Sequence, residues 1–315
     1  MNPNQSLRHG AVLAVFAAFV FAEPAFAAPL AVCVDDDASF KAAALNATLI
    51  PTTIELVQGT YHVDGTNFDD HTCGGNCRAV ADGFSLLGGY TANCASRQID
   101  PANTVVTATL ASSKFTIRAV GDVVLEGVRV TGINSGAAVV WNSYVSTVKD
   151  NVQAIVRRNI IARNLEYQGL DIAWFPDGDQ TLTARLVNNL VHDNTLGGGT
   201  DSCAVSLLTD PGNNATFNLI NNTIVDNTGN GNGVCMGYSS GSGGSLLAYN
   251  NIFYGNSGVD LKTNSGTNAL LIANVIGAHS YQGVANSSGT LSGDPQLNAN
   301  HHPHESPPSP VINSG

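Results

Sequence analysis

Charge is scarce in this chain. Charged residues make up 12% of its 315 positions, with 13 Lys and Arg set against 24 Asp and Glu, and the formal net charge is −11. There are four lysines. A surface so poor in cations repels phosphate backbones, which excludes nucleic acid as a partner and leaves basic ligands and neutral glycans open. Beyond residue 27 no apolar run is long enough to cross a bilayer, so the mature chain is expected to have no membrane span. What is abundant instead is Gly, Asn, Ser and Thr. That composition suits short strands and tight turns better than long helices.

One short phrase is written four times: Val156–Asn164, Leu186–Asn194, Leu219–Asn227 and Ala248–Asn256. Its central asparagines, Asn159, Asn189, Asn222 and Asn251, recur at intervals of 30, 33 and 29 residues. A fixed period of this size marks a stacked repeat, in which each unit is buried by its neighbours. An α-solenoid is excluded because the phrases are β-branched and Asn-rich, which is poor helix material. A propeller blade would need about 40–45 residues per repeat. Five and three positions before each central Asn the residues are apolar (Ala154 and Val156, Ala184 and Leu186, Phe217 and Leu219, Leu246 and Ala248). Two positions after it they are apolar again (Ile161, Val191, Ile224, Phe253). This describes two short strands meeting at a bend. Stacking then predicts an internal amide ladder through the central asparagines, and a second column through Asn164, Asn194, Asn227 and Asn256. Asn-x-Thr matches such as Asn221–Thr223 belong to that ladder rather than to glycan attachment. A degenerate copy, Leu271–Ile276 with Asn274, reads as a last, tapering turn.

Residues 1–27 read as a secretory signal: Arg8, an apolar run from Ala11 to Ala22, then Pro24 and Ala25–Ala27 as an A-x-A cleavage site. Its removal takes one charge of each sign and leaves the net charge unchanged. Six cysteines in an exported protein predict disulfides. Cys203 and Cys235 occupy corresponding stretches of adjacent turns, within disulfide reach, and are expected to staple them. Cys33, Cys73, Cys77 and Cys94 allow three connectivities. A metal site from His71, Cys73 and Cys77 is the disfavoured alternative. Asp35–Asp37 ahead of the Ala-rich run 38–46 predicts a short capping helix with Phe40, Ala44 and Leu45 on one face. The organisation expected is a signal peptide over 1–27, an N-terminal cap over 28–52, an all-β right-handed parallel β-helix over 53–295, and an irregular tail over 296–315.

These strands, periods and Asn columns resemble the right-handed parallel β-helix proteins of the pectate-lyase-like superfamily, over most of residues 53–277. The stretch Leu86–Tyr90, followed by Ala95–Arg97 and Asp100–Pro101, is similar to an N-terminal segment of secreted bacterial β-helix proteins. Gly293–Leu297 with Ser309–Gly315 resembles the closing stretch of choice-of-anchor Q proteins, which usually continue further; the tail here is therefore expected to be truncated or released. The resemblance implies architecture more than activity, because the fold hosts enzymes, adhesins and scaffolds.

For chemistry, the Asn-Thr-Asp, Asp-Asp, His-Gly and Arg-Ile-Lys segments of galacturonan hydrolases are missing in order. A lyase needs grouped carboxylates for Ca²⁺ and a nearby cation. Asp171 and Asp201 are the candidate catalytic residues, and Asp177, Asp179 and Asp210 the candidate Ca²⁺ ligands, with no Arg or Lys close in sequence to complete the set. Loops with Asp-Gly and Asp-Pro turns are the plainer reading. Tyr238 and Tyr254 are candidate sugar-stacking groups, alongside Trp141, whereas Trp174 follows Leu170 and Ile172 with period two and belongs to the core. His192 is expected at the surface, with Arg163 and Asp193 pairing between turns. His301, His302 and His304 resemble a metal tract, but in a Pro-rich tail they read as disordered polar filler. The resulting expectation is an exported, monomeric β-helix binding a polysaccharide or cell-envelope glycan without catalysis. A polysaccharide lyase is the alternative, and a purely structural element the third possibility.

Overall fold

The computed structural model of the chain describes residues 29–301 apart from 75–76, 136–137, 144–148, 166–167, 177–178, 198–200, 210–213 and 238–243. The signal segment 1–27 and the tail from 302 lie outside the described residues. The chain is an all-β parallel β-helix, with three sheets of ten, eight and seven strands (here A, B and C) running the length of the coil. One turn contributes Asn151–Arg157 to sheet A, Ile160–Ala162 to sheet B and Gln168–Phe175 to sheet C. The next turn contributes Thr181–Val187, Leu190–His192 and Cys203–Thr209, each paired in parallel with the strand before it.

The corners follow from backbone geometry. The residue before each central Asn is left-handed: Arg158, Asn188, Asn221 and Asn250 have φ of 54–55°. Four residues after each central Asn a second left-handed corner recurs at Arg163, Asp193, Asp226 and Gly255. Such φ values are rare for L residues, and short polar side chains and Gly tolerate them best. Each corner swings the chain onto the next sheet and leaves the following asparagine pointing inward.

Inside, like stacks on like. Ala184, Phe217 and Leu246 lie in one row, Leu186, Leu219 and Ala248 in the next, and Val191, Ile224 and Phe253 in a third. All are at most 1% exposed. The amide ladder runs beside them. Asn159 Nδ2 donates to Asn189 Oδ1 at 3.1 Å, Asn189 to Asn222 at 2.9 Å, Asn222 to Asn251 at 3.0 Å and Asn251 to Asn274 at 2.9 Å. Each Oδ1 also accepts from the backbone N–H of the preceding Asn, and each Nδ2 donates a second bond to a backbone carbonyl two turns away from its acceptor. The second column, Asn164, Asn194, Asn227 and Asn256, repeats the pattern and ends on Asp260, whose Oδ1 accepts from Asn256 Nδ2 at 2.7 Å. A carboxylate only accepts, so it can close a chain of donors.

The capping helix, Asp37–Asn46, begins with a capping box in which Asp36 Oδ1 accepts from Ser39 N at 2.7 Å and Ser39 Oγ accepts from Asp36 N. It buries Phe40, Ala43 and Ala44, while Leu45 is 54% exposed and not on the packed face as expected. The coil already begins ahead of it, since Leu30–Val34 pairs with Thr52–Val57. At the other end the 271–276 copy is not the last turn, because Val284–Ser288 adds one more strand to sheet A. The Cys203–Cys235 staple is present with Cα atoms 5.9 Å apart. Cys33–Cys94 and Cys73–Cys77 complete the set, which removes the metal site considered at His71, Cys73 and Cys77. Three disulfides fit an oxidising compartment. Among the described residues no helix is long and apolar enough to cross a membrane.

The ladder sets a stability prediction. Asn222→Ala takes away the acceptor of the buried Asn189 backbone N–H and of one Asn189 Nδ2 hydrogen, and one donor to the Leu186 carbonyl, and urea denaturation is expected to show a loss of about 2–3 kcal/mol. The half-buried, outward-facing Asn218→Ala, measured in the same way, loses only a long bond to the Ala184 carbonyl at 3.5 Å and should cost under about 1 kcal/mol.

Candidate functional site

The outward face of sheet C carries the residues singled out for catalysis. Asp171, Ser206, Cys235 and Lys262 occupy one row on four successive strands. Asp171 is 6% exposed. Its Oδ1 has no hydrogen-bond partner. Burial drives its pKa from 3.8 up to about 7, and a hydrogen bond from Ser206 offsets this only partly. Asp201 is 85% exposed and pairs with Lys262 at 3.0 Å. Lys262 supplies the cation that the local sequence lacked, but three strand spacings, about 14 Å, separate it from Asp171. The two therefore do not act on one reacting atom. Asp179 is exposed, and Asp177 and Asp210 lie outside the described residues.

Sheet A presents a different surface. Thr183, Thr216, Ser245 and Asn268 form an outward row in register, with Thr181 and Asn214 beside them. Together with Gly244 they line a groove of about 400 Å³. Among the described residues that line it, every side chain reaching outward is a hydroxyl or an amide. Four residues along from Ser245, on the same face, Tyr249 is 42% exposed between Ile220 and Ile272. This ring escaped the sequence reading because it stands in the repeat's core phrase. Of the tyrosines that were singled out, Tyr238 lies outside the described residues and Tyr254 is half-buried on sheet B. Trp174 is 1% exposed, as its period predicted. Trp141 sits on the strand 138–143 opposite Ala173.

Further along the outer face of sheet A, Glu126 is buried beneath three arginines. Arg97 Nη1 lies 3.0 Å from Oε2, Arg157 Nε 3.0 Å and Arg158 Nη1 3.1 Å from Oε1. Arg97 also lies over the Tyr90 ring, 5.4 Å from its centroid. The cluster joins three turns of the coil, and with three cations to one carboxylate it stays net positive.

On sheet B, His192 is not the surface histidine expected. It is 9% exposed, and its ring centroid lies 4.4 Å from that of His301. His192 Nδ1 is 3.0 Å from Asp193 Oδ2, so Asp193 turns to its neighbour rather than to Arg163. His301 in turn lies 3.5 Å from Asp226. Burial and the neighbouring His301 hold the His192 pKa below its ordinary value. No sequence signal linked these residues, which are more than 100 positions apart. His302 and His304 lie outside the described residues.

No known family profile matches the chain. A search of curated proteins likewise finds no significant relative.

Two outcomes follow from these clusters. The native chain holds a proton on Asp171 more tightly than the unfolded chain does, so stability falls as pH climbs from about 4 to about 7. Asp171→Asn removes that dependence, and its advantage over the parent should grow across this window by up to about 4 kcal/mol, read from urea midpoints at pH 4.5 and 8. Removing the buried carboxylate strands three cations instead. Glu126→Ala should lower stability by about 3 kcal/mol, near the bottom of the range for breaking a buried pair because the arginines remain partly in water.

Proposed function

We propose that this protein is an exported β-helix that binds a neutral glycan along the outer face of sheet A, without turning it over. The observation that carries this reading is the groove between Thr181 and Asn268, whose reaching side chains are all hydroxyls and amides. Such groups donate and accept hydrogen bonds, as sugar hydroxyls do, and they leave no charge to desolvate. Tyr249 on the same face offers an apolar ring for a sugar to lie against. Parallel strands repeat this surface from turn to turn, which suits a repeating polymer. Export is supported by the three disulfides and by residues 1–27 read as a signal. Kinship with the pectate-lyase-like superfamily, and with choice-of-anchor Q proteins at the C-terminal end, rests on the repeat and on the terminal sequences.

A second reading is favoured by Asp171 alone, a buried carboxylate titrating near neutrality as a general base should. In it the chain is a polysaccharide lyase, with Asp171 as base, Asp201 near the substrate, and Ca²⁺ recruited by Asp177, Asp179 and Asp210.

Retention on insoluble neutral and acidic glycans separates the two. Binding predicts retention of the mature chain on a neutral glycan, unmoved by 0.5 M salt, and reduced about tenfold by the pair Asn214→Ala and Thr216→Ala or by Tyr249→Ala. The lyase reading predicts Ca²⁺-dependent release of an unsaturated, ultraviolet-absorbing product from a uronate polymer, abolished by Asp171→Asn. Absence of both retention and release across such a panel overturns both.

A further inference from the structure

The side chains of His192, Asp193 and His301 offer ligand atoms that all lie within 4.8 Å of one another. Among the described residues this is the one group of three or more such side chains brought together. His192 ends a strand of sheet B, and Asp193 occupies the left-handed corner that follows it. His301 comes from the segment beyond the last strand, which folds back across the outer face of that sheet.

We propose that these three residues bind a divalent transition-metal ion of the zinc class, and that the ion clasps the C-terminal segment to the coil. Imidazole nitrogens with a carboxylate oxygen are the donor set such ions prefer, whereas Ca²⁺ and Mg²⁺ take oxygen alone. Ligands at about 2.0–2.2 Å from one tetrahedral ion stand about 3.4 Å apart, so side-chain shifts of about 1 Å complete the site. Asp226, 3.5 Å from His301 Nδ1, is placed to orient that ring and leave its other nitrogen facing the ion. The His301 side chain is 15% exposed and that of Asp193 44%, so the imidazoles are shielded while the carboxylate side opens to water. That opening gives the ion an entry path and room for a water ligand.

Charge favours a cation as well. Two carboxylates and two imidazoles meet here, and Arg129, two turns up the same sheet, is the cation felt at His192. A second feature marks the face as one meant to be covered. Ala162 and Val225 flank His192 on its outward row, yet they are 0% and 1% exposed and lie outside the coil's main core. An ion holding His301 in place would fasten that cover.

The test uses the full mature chain, stripped with a chelator and titrated with Zn²⁺ by equilibrium dialysis, with hydrogen exchange followed over residues 294–301. The expected result is one ion per chain, with slower exchange in that segment once the ion is bound. His192→Ala and His301→Ala should each weaken binding at least about tenfold. His301→Ala is the safer variant, since it lies outside the coil's core and leaves folding intact. Affinity unchanged in His192→Ala would mean that tail histidines bind alone, and would overturn the proposal. So would the absence of saturable binding at 100 μM Zn²⁺, or an ion that binds without slowing exchange at 294–301.

Discussion

Vertical register is the constraint on which the rest of this molecule depends, and the asparagine amides enforce it. Each Asn side chain has one acceptor and two donors pointing along the coil, and each finds its partners only if the turn below is in phase. A slip by one residue would turn the apolar rows outward and leave buried amides unpaired at the same time. The left-handed corners before and after each central Asn let the chain reach this phase with short turns. The second column ends at Asp260, where the local sequence departs from the repeat and a carboxylate accepts the last donors.

Once the turns are in register, every outward side chain belongs to a column, and the three sheets acquire different characters. Sheet A carries a groove of hydroxyls and amides over its later turns, with Arg185 on the same outward face, and the Glu126–arginine cluster over its earlier ones. Sheet C carries a buried carboxylate in line with a disulfide and a lysine. Sheet B is covered, in part, by the segment that carries His301. The same physical device, stacking of like positions, thus yields one surface of hydroxyls and amides and another largely closed to solvent. Among the described residues that line the groove on sheet A none is charged, whereas on sheet C Asp171 and Lys262 are too far apart to share one atom.

The legibility of the chain followed the range of its interactions. The rows Ala154–Ala184–Phe217 and Val156–Leu186–Leu219, both Asn ladders and the Cys203–Cys235 staple could be read directly, because each depends on position within a short repeated phrase. Trp174 was assigned to the core on the same ground. Leu45 was misplaced because a ten-residue helix rotated slightly buries Ala43 instead. Tyr249 was overlooked because its outward direction depends on strand phase, and it stands inside an apolar phrase. Lys262 was invisible as a neighbour of Asp201 because 61 residues and two turns of coil lie between them.

What the sequence determined by itself is the coil: its period, its inward rows, its amide columns and one of its disulfides, all of which repeat locally and need no knowledge of where the chain goes next. Tertiary structure alone decided which unlike residues meet. It buried Asp171 far enough to raise its pKa, set three arginines around Glu126, paired Cys33 with Cys94, and carried His301 back to His192. The reason is that stacking correlates identical positions, which a repeat makes visible, whereas contacts between loops, ends and different sheets depend on path lengths and turns that leave no periodic trace.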